Sequence, residues 1–172
     1  GALRVIVSDD GESWESLALI TSPKYDLRDA KLTTTPDGRL MLNGAGMIAD
    51  AEVRYYSMVW FSSDDGHTWT EGKQIGDPGF WLWRTQWHNN MAYSMGYATN
   101  RDRTQRTLRL YRSKDGSDFE TLVRQLSAPV GCGEDTILFR KDQSALCLLR
   151  HETGDMMAQL GTAAPPYTDW KW

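Results

Sequence analysis

Residues 62–69 read SSDDGHTW, and how this stretch is understood decides the fold. Alone, its two adjacent carboxylates ahead of Gly, Thr and Trp would suit a metal loop, a catalytic pair or a tight turn. Two near-copies separate these options. SDDGESW occupies residues 8–14 and SKDGSDF residues 113–119, so the pattern Ser-x-Asp-Gly-x-Ser/Thr-Trp occurs twice in full and once in degenerate form. The aspartates aligned by it, Asp10, Asp65 and Asp115, stand 55 and 50 residues apart. A period of about fifty residues belongs to propeller blades.

Each copy follows an alternating run rich in β-branched or aromatic residues (LRVIVS, RYYSMVWFS, TLRLYRS), and a second short apolar run comes after it. Period-two patterning on both sides makes the motif the turn of a hairpin. Between hairpins the punctuation also repeats. Pro23, Pro78 and Pro129 are each followed five or six residues later by a charged residue, Arg28, Arg84 or Glu134, that opens a new run. These charged residues stand 56 and 50 residues apart, so two landmarks share one period. Each new run breaks at a turn (TPDG, HNN, KDQS) and resumes, which gives four antiparallel strands per repeat. The expected fold class is all-β, a single partial β-propeller domain over 1–172. Residues 2–20 would form the outer half of a blade, 26–76 and 81–126 two whole blades, and 133–172 a further blade, complete or nearly so. About three and a half blades result, whereas closed propellers have four to eight. Either missing blades or a second copy in a homodimer would complete the ring and cover the open edges.

Within the turn, Asp accepts hydrogen bonds from the following backbone N–H groups and Gly supplies the positive φ. The Trp is expected to fold under the hairpin and be buried. The motif residues Asp10, Gly11 and Trp14, Asp65, Gly66 and Trp69, and Asp115 and Gly116 are therefore structural. A helix-loop-helix calcium site needs oxygen ligands at alternate positions and a bidentate Glu at its twelfth residue, and no copy supplies that set. His88 has no ligand spacing to His67 or His151, so no metal and no cofactor is expected.

The 172 residues are 40% hydrophobic and 24% charged, enough for a real core. A net charge of -4 with scattered arginines argues against a nucleic-acid partner, and no apolar run reaches the length of a membrane span. The chain opens on Gly1 directly ahead of a strand-like run, so the lack of a leader carries no information about export. Cys132 and Cys147 flank one hairpin but would not pair in register, and both are expected to be free thiols.

The three Ser-x-Asp-Gly turns resemble the Asp boxes, or BNR repeats, of the sialidase-like β-propellers, which are of six-bladed type, and the resemblance runs over essentially the whole chain. It implies an exo-acting glycoside hydrolase that removes a terminal acidic sugar, with a glycan as substrate or ligand, and a secreted or periplasmic location. Asp boxes also occur in non-catalytic carbohydrate- or protein-binding propellers, so that alternative stays open. The family pattern in which a Glu opens an inner strand and an Arg closes the next one falls on Glu134 and Arg150. By resemblance, Glu134 would activate a catalytic Tyr and Arg150 would bind the substrate carboxylate. No FRIP or YRIP motif and no acid/base Asp motif is present, and Tyr93 and Tyr97 match no nucleophile motif. The chain alone is therefore expected to be inactive.

Propeller sites lie where the innermost strands begin. The repeat places Arg28, Arg84 and Glu134 there, with Asp29 beside Arg28 in DLRDAKL; a ring of interblade salt bridges is the competing explanation for them. In the aromatic stretch 80–97, Trp81, Trp83 and Trp87 alternate around Arg84. Trp87 is a candidate for stacking on a sugar ring, with interblade packing as its structural alternative.

Overall fold

The computed structural model describes residues 1–99 and 105–172. Residues 100–104, inside the expected blade 81–126, lie outside the described residues. Among the described residues thirteen strands follow one another: β1 (Leu3–Val7), β2 (Glu15–Ile20), β3 (Asp26–Thr34), β4 (Leu40–Met47), β5 (Tyr55–Ser62), β6 (Lys73–Ile75), β7 (Trp81–His88), β8 (Met91–Thr99), β9 (Arg106–Ser113), β10 (Glu120–Val123), β11 (Cys132–Phe139), β12 (Ala145–His151) and β13 (Gln159–Ala163). They form four antiparallel sheets, β1-β2, β3-β4-β5-β6, β7-β8-β9-β10 and β11-β12-β13. Beyond β13, Lys171 bridges back to Thr162 where a fourth strand would lie. Among the described residues no helix is long and apolar enough to cross a membrane.

The sheets stack face to face, and an apolar layer fills each of the three gaps. Leu3, Val5 and Ile20 pack with Leu27, Leu42, Met58 and Trp60 between the first and second sheets. Met41, Val59 and Phe61 meet Phe80, Leu82 and Tyr111 between the second and third. Met95, Leu108 and Leu110 meet Ile137, Cys147 and Leu149 between the third and fourth. The middle strands are thus covered on both faces, which is why LMLNGAGM and YYSMVWFS read as nearly continuous apolar runs. Cys132 and Cys147 are free and buried, and the Cys147 thiol lies 3.6 Å from the Met95 sulfur across the last gap.

The two end sheets keep one apolar face uncovered. Ile6 and Leu19 project from the first sheet, and Leu138, Leu148 and Leu160 from the last, all about half exposed or more. Such rows exceed what isolated surface leucines explain.

The repeated turns close the hairpins β1-β2, β5-β6 and β9-β10. In the first, Asp10 Oδ1 accepts the N–H groups of Glu12 and Ser13, each at 2.8 Å, and Ser8 Oγ accepts that of Gly11 at 2.7 Å. The third repeats this arrangement, with Asp115 Oδ1 accepting from Ser117 and Asp118, each at 2.8 Å. The second corrects the sequence alignment. Its folded-back carboxylate is Asp64, which accepts the Thr68 N–H at 2.9 Å and the Thr68 and Ser62 hydroxyls at 2.7 Å. Asp65 is an inserted residue with φ 56°. A carboxylate two residues after the strand-end serine makes the cap, so the spacing runs from Ser62 rather than back from Gly66.

These bonds hold the Asp64 carboxyl at about 2, chiefly through the Thr68 N–H and then the Thr68 and Ser62 hydroxyls. Its stabilising effect is full above the unfolded value of about 4 and is lost as pH falls through about 2. Asp64→Ala is expected to lower the melting temperature by a few degrees near neutral pH. Asp65→Gly, which relieves the left-handed backbone, leaves it unchanged or raises it. Thermal unfolding of the two variants checks the assignment, and the reverse order would restore Asp65.

The motif tryptophans do not share one environment. Trp69 packs against the first core layer and donates its indole N–H to the Gly66 carbonyl at 2.9 Å. Trp14, expected to be buried, is 57% exposed. Its sheet has only two strands, so no inner hairpin lies beneath the ring.

Candidate functional site

Leu40 pairs with Ser62 and Ala92 with Ser113, so the Asp-box turns lie at the same end of each sheet as the first hairpin turn. The innermost strands β3, β7 and β11 begin at the opposite end. Near that beginning each carries a one-residue bulge, between Arg28 and Lys31, between Leu82 and Arg84, and between Cys132 and Asp135. Bulges re-aim side chains and gather at barrel rims and active sites. Here they turn Asp29, Trp83 and Glu134 out of the ladder at the channel mouth. Asp29 sits in the left-handed region at φ 52°.

Glu134 and Arg150 meet at one end of the β11-β12 hairpin, as the hairpin arithmetic predicts, with an oxygen-to-nitrogen distance of 2.8 Å. The same guanidinium reaches Glu152 at 2.8 Å. Glu152 also pairs with Arg106, whose other nitrogen donates to the Gly131 carbonyl at 3.2 Å. Arg106 lies over the Tyr97 ring, 5.5 Å from its centroid, and Tyr97 stacks on Trp81 at 6.3 Å with an interplanar angle of 5°. Trp81 in turn approaches Trp83 at 6.1 Å. A pocket of about 400 Å³ opens here, lined by Trp83, Glu134, Asp135, Leu148, Arg150 and Glu152 among others. A larger groove of about 710 Å³ runs beside the Asp115 turn, at the end away from the mouth, and is lined by turn backbone and exposed charges.

Two charged residues that the sequence did not single out complete the mouth. Asp135 is only 3% exposed, and among the described residues neither carboxyl oxygen has a hydrogen-bond partner. Burial pushes its carboxyl well up, against the opposing pull of Arg84 and Lys31. Lys31 places its ammonium 3.1 Å from the centroid of Trp83 and donates to the Asp29 carbonyl at 2.7 Å. Its pKa falls to about 8, mostly through burial and partly through the charge of Arg84. Burial, reinforced by the charge of Glu134, pushes the Tyr97 hydroxyl up, so this tyrosine holds its proton tightly.

Other candidates separate from this group. Arg28 is half exposed and turned to Asp26, 2.5 Å away, so it does not join Arg84 and Glu134. Trp87 is at the wrong end. It pairs with Ala92 beside the turn, packs into the second core layer, and would collide at 2.9 Å with a Cβ placed on Gly116. Interblade packing, not ring stacking at the mouth, is its role. Four residues of strand, about 13 Å, separate it from Trp83. His88 stacks on Phe139 with ring centroids 4.3 Å apart, a link between the third and fourth sheets. Among the described residues no group of three His, Cys, Asp or Glu side chains is placed to hold a metal ion.

Solved structures of known proteins share this arrangement. A protein of unknown function from Dyadobacter fermentans superposes with a TM-score of 0.82 at 15% identity, covering 99% of this chain and 57% of that one. A Trypanosoma rangeli sialidase mutant displaying trans-sialidase activity gives 0.71 at 12% identity, covering 98% of this chain and 32% of that one. The fold is that of a partial sialidase-type propeller. This partial propeller also matches the Bombyx mori GH32 β-fructofuranosidase BmSUC1, with a TM-score of 0.62 at 17% identity, covering 99% of this chain and 41% of that one. It thus spans less than two thirds of the chains it matches. No protein-family model and no curated protein matches the sequence.

Proposed function

We propose that the channel mouth is the glycan site of a sialidase-like glycoside-hydrolase propeller acting on a terminal acidic sugar, present here without its full catalytic set. The observation that carries this reading is the Glu134–Arg150 pair at 2.8 Å, held at the mouth by a bulged inner strand and its neighbour. In this reading Glu134 takes a proton from a nucleophile, and Arg150 orients its carboxylate. Trp83 offers a flat apolar wall beside them. Further blades, or a second copy, would close the ring over the apolar outer faces of the two end sheets.

One observation favours a binding propeller without hydrolysis. Tyr97, a tyrosine at the mouth, has its hydroxyl pKa raised rather than lowered, so it is not an activated nucleophile. A fluorogenic α-sialoside assay paired with a glycan-binding screen tests both readings. The expected result is no turnover by the chain as purified, together with glycan binding that Glu134→Gln weakens. Turnover abolished by Glu134→Gln would overturn the inactive-fragment reading, and absence of any glycan binding would overturn the site.

A further inference from the structure

The connection from β12 to β13, residues 152–158, helps to wall the mouth pocket, which His151, Glu152, Met156 and Ala158 all line. Much of it is loosely anchored. Asp155, Met156 and Met157 are exposed, and Met156 sits in the left-handed region at φ 56°. His151, at the end of β12, is the residue that ties this segment down, and its side chain is only 11% exposed. Its Nε2 stands 2.8 Å from the Val130 carbonyl, just ahead of β11. The Thr153 hydroxyl donates to the same carbonyl at 2.9 Å and lies 3.2 Å from Nε2. On the other side of the ring, Nδ1 is buried and has no hydrogen bond among the described residues. It faces Asp155 Oδ1 at 3.3 Å. The fit leaves no slack, since a Cβ placed on Gly131 would overlap the Thr153 side chain.

Both ring nitrogens therefore point at acceptors, and only the imidazolium carries a proton for each. A neutral ring must give one contact up. The shorter contact, to Val130, needs the proton on Nε2, because a lone pair there would face a carbonyl oxygen. That choice turns the Nδ1 lone pair toward the Asp155 carboxylate, and the two repel. We propose that His151 is a pH-operated latch on the 152–158 connection, closed by the imidazolium in acid and opened on the Asp155 side when the ring loses a proton. The other charges around the ring are already engaged. Glu152 pairs with Arg106 and Arg150, Arg150 also with Glu134, and Arg106 donates to the Gly131 carbonyl at 3.2 Å. Asp135, further along β11, faces Arg84 and Lys31. Across the ladder stands Cys132, whose thiol burial pushes up, so it stays neutral. Asp155 is thus the acid that answers the ring. Histidine changes charge between about pH 5 and 8, so this wall of the pocket is firm in acid and loose above it. The latch holds whatever occupies the pocket and does not depend on the glycan reading.

Amide hydrogen exchange of the whole chain, corrected for the intrinsic pH dependence of exchange, tests the latch. Protection of the 152–158 amides is expected to fall by about tenfold between about pH 5 and pH 8. His151→Gln, which cannot take up a proton, and Asp155→Asn, which removes the repelling charge, are each expected to reduce that fall to less than about twofold. His88→Gln, at the far end of β7 beside the turn, is expected to keep it in full. No fall in the wild type overturns the latch, and so does a full fall in either His151→Gln or Asp155→Asn. Loss of the fall in His88→Gln overturns it too. Should His151→Gln fail to fold, Asp155→Asn and the ring ¹⁵N shifts of the wild type carry the test. The shifts are expected to show protons on both nitrogens at the acid end and on Nε2 alone at the basic end. A neutral ring protonated on Nδ1 would keep its bond to Asp155 and is contrary evidence.

Discussion

Asp135→Asn raises the melting temperature of the chain, and the gain widens as the pH rises above about 4, the ordinary carboxyl value, for as long as the folded carboxyl keeps its proton. Burial raises the Asp135 carboxyl in the fold, whereas the same group in the unfolded chain ionises near the ordinary value of about 3.9. Above that value the unfolded state binds fewer protons than the native state. Stability therefore falls with pH, by about 1.4 kcal/mol per pH unit at most, until the folded carboxyl itself ionises. Asparagine keeps the shape and both hydrogen-bonding functions without a proton to lose. The facing groups, Arg84 and Lys31, pull the carboxyl down, and Lys31 begins to titrate near 8, so the clean window ends there. Thermal unfolding of both proteins across that window measures the difference. An Asn variant less stable at every pH would mean that Asp135 is ionised and paired with Arg84.

Tyr111→Ala is expected to lower stability by about 3–5 kcal/mol. The side chain is 1% exposed in the layer between the second and third sheets and meets Phe80 edge-on, with ring centroids 6.2 Å apart. Its hydroxyl donates to Asp77 Oδ2 at 2.9 Å, beside Arg109 at 2.6 Å, which ties the segment after β6 to β9 of the next sheet. Alanine leaves a ring-sized cavity in a layer that cannot easily collapse, since Gly96 on the neighbouring strand already lies under the ring. Tyr111→Phe retains the ring, and Arg109 still holds Asp77, so about 1 kcal/mol is lost. Urea unfolding of the two variants separates packing from the hydrogen bond. Equal losses would place the whole effect in the Asp77 link.

The blade pattern was legible because the tight turn demands a glycine, an acceptor side chain and strands on both sides, and that combination recurs at one spacing. The exchange of Asp65 for Asp64 marks the limit of such reasoning. Two adjacent aspartates before a glycine look alike in sequence, and only the inserted residue's positive φ shows which carboxylate folds back. The Glu134–Arg150 meeting followed from counting along a hairpin. Lys31 and Asp135 were invisible for the opposite reason. A one-residue bulge shifts the alternation of faces, so period-two counting from Arg28 or Glu134 sends the wrong side chain to the mouth. For Trp87 alternation left both stacking on a sugar and interblade packing open, and its place beside the turn selects the packing. Burial of Trp14 depended on a neighbouring hairpin that the motif itself does not encode.

The three bulges also divide the labour of the inner strands. On either side of each one the ladder resumes its regular pairing, from Lys31 to Thr34 in the first, from Arg84 to His88 in the second and from Asp135 to Phe139 in the third. Asp29 and Ala30, Trp83, and Gly133 and Glu134 are therefore outside the register that holds the sheets together. These five positions form an exchangeable set. A scaffold of this design can be given a new ligand preference by swapping residues there, with the strand pairing and the three apolar layers left as they are.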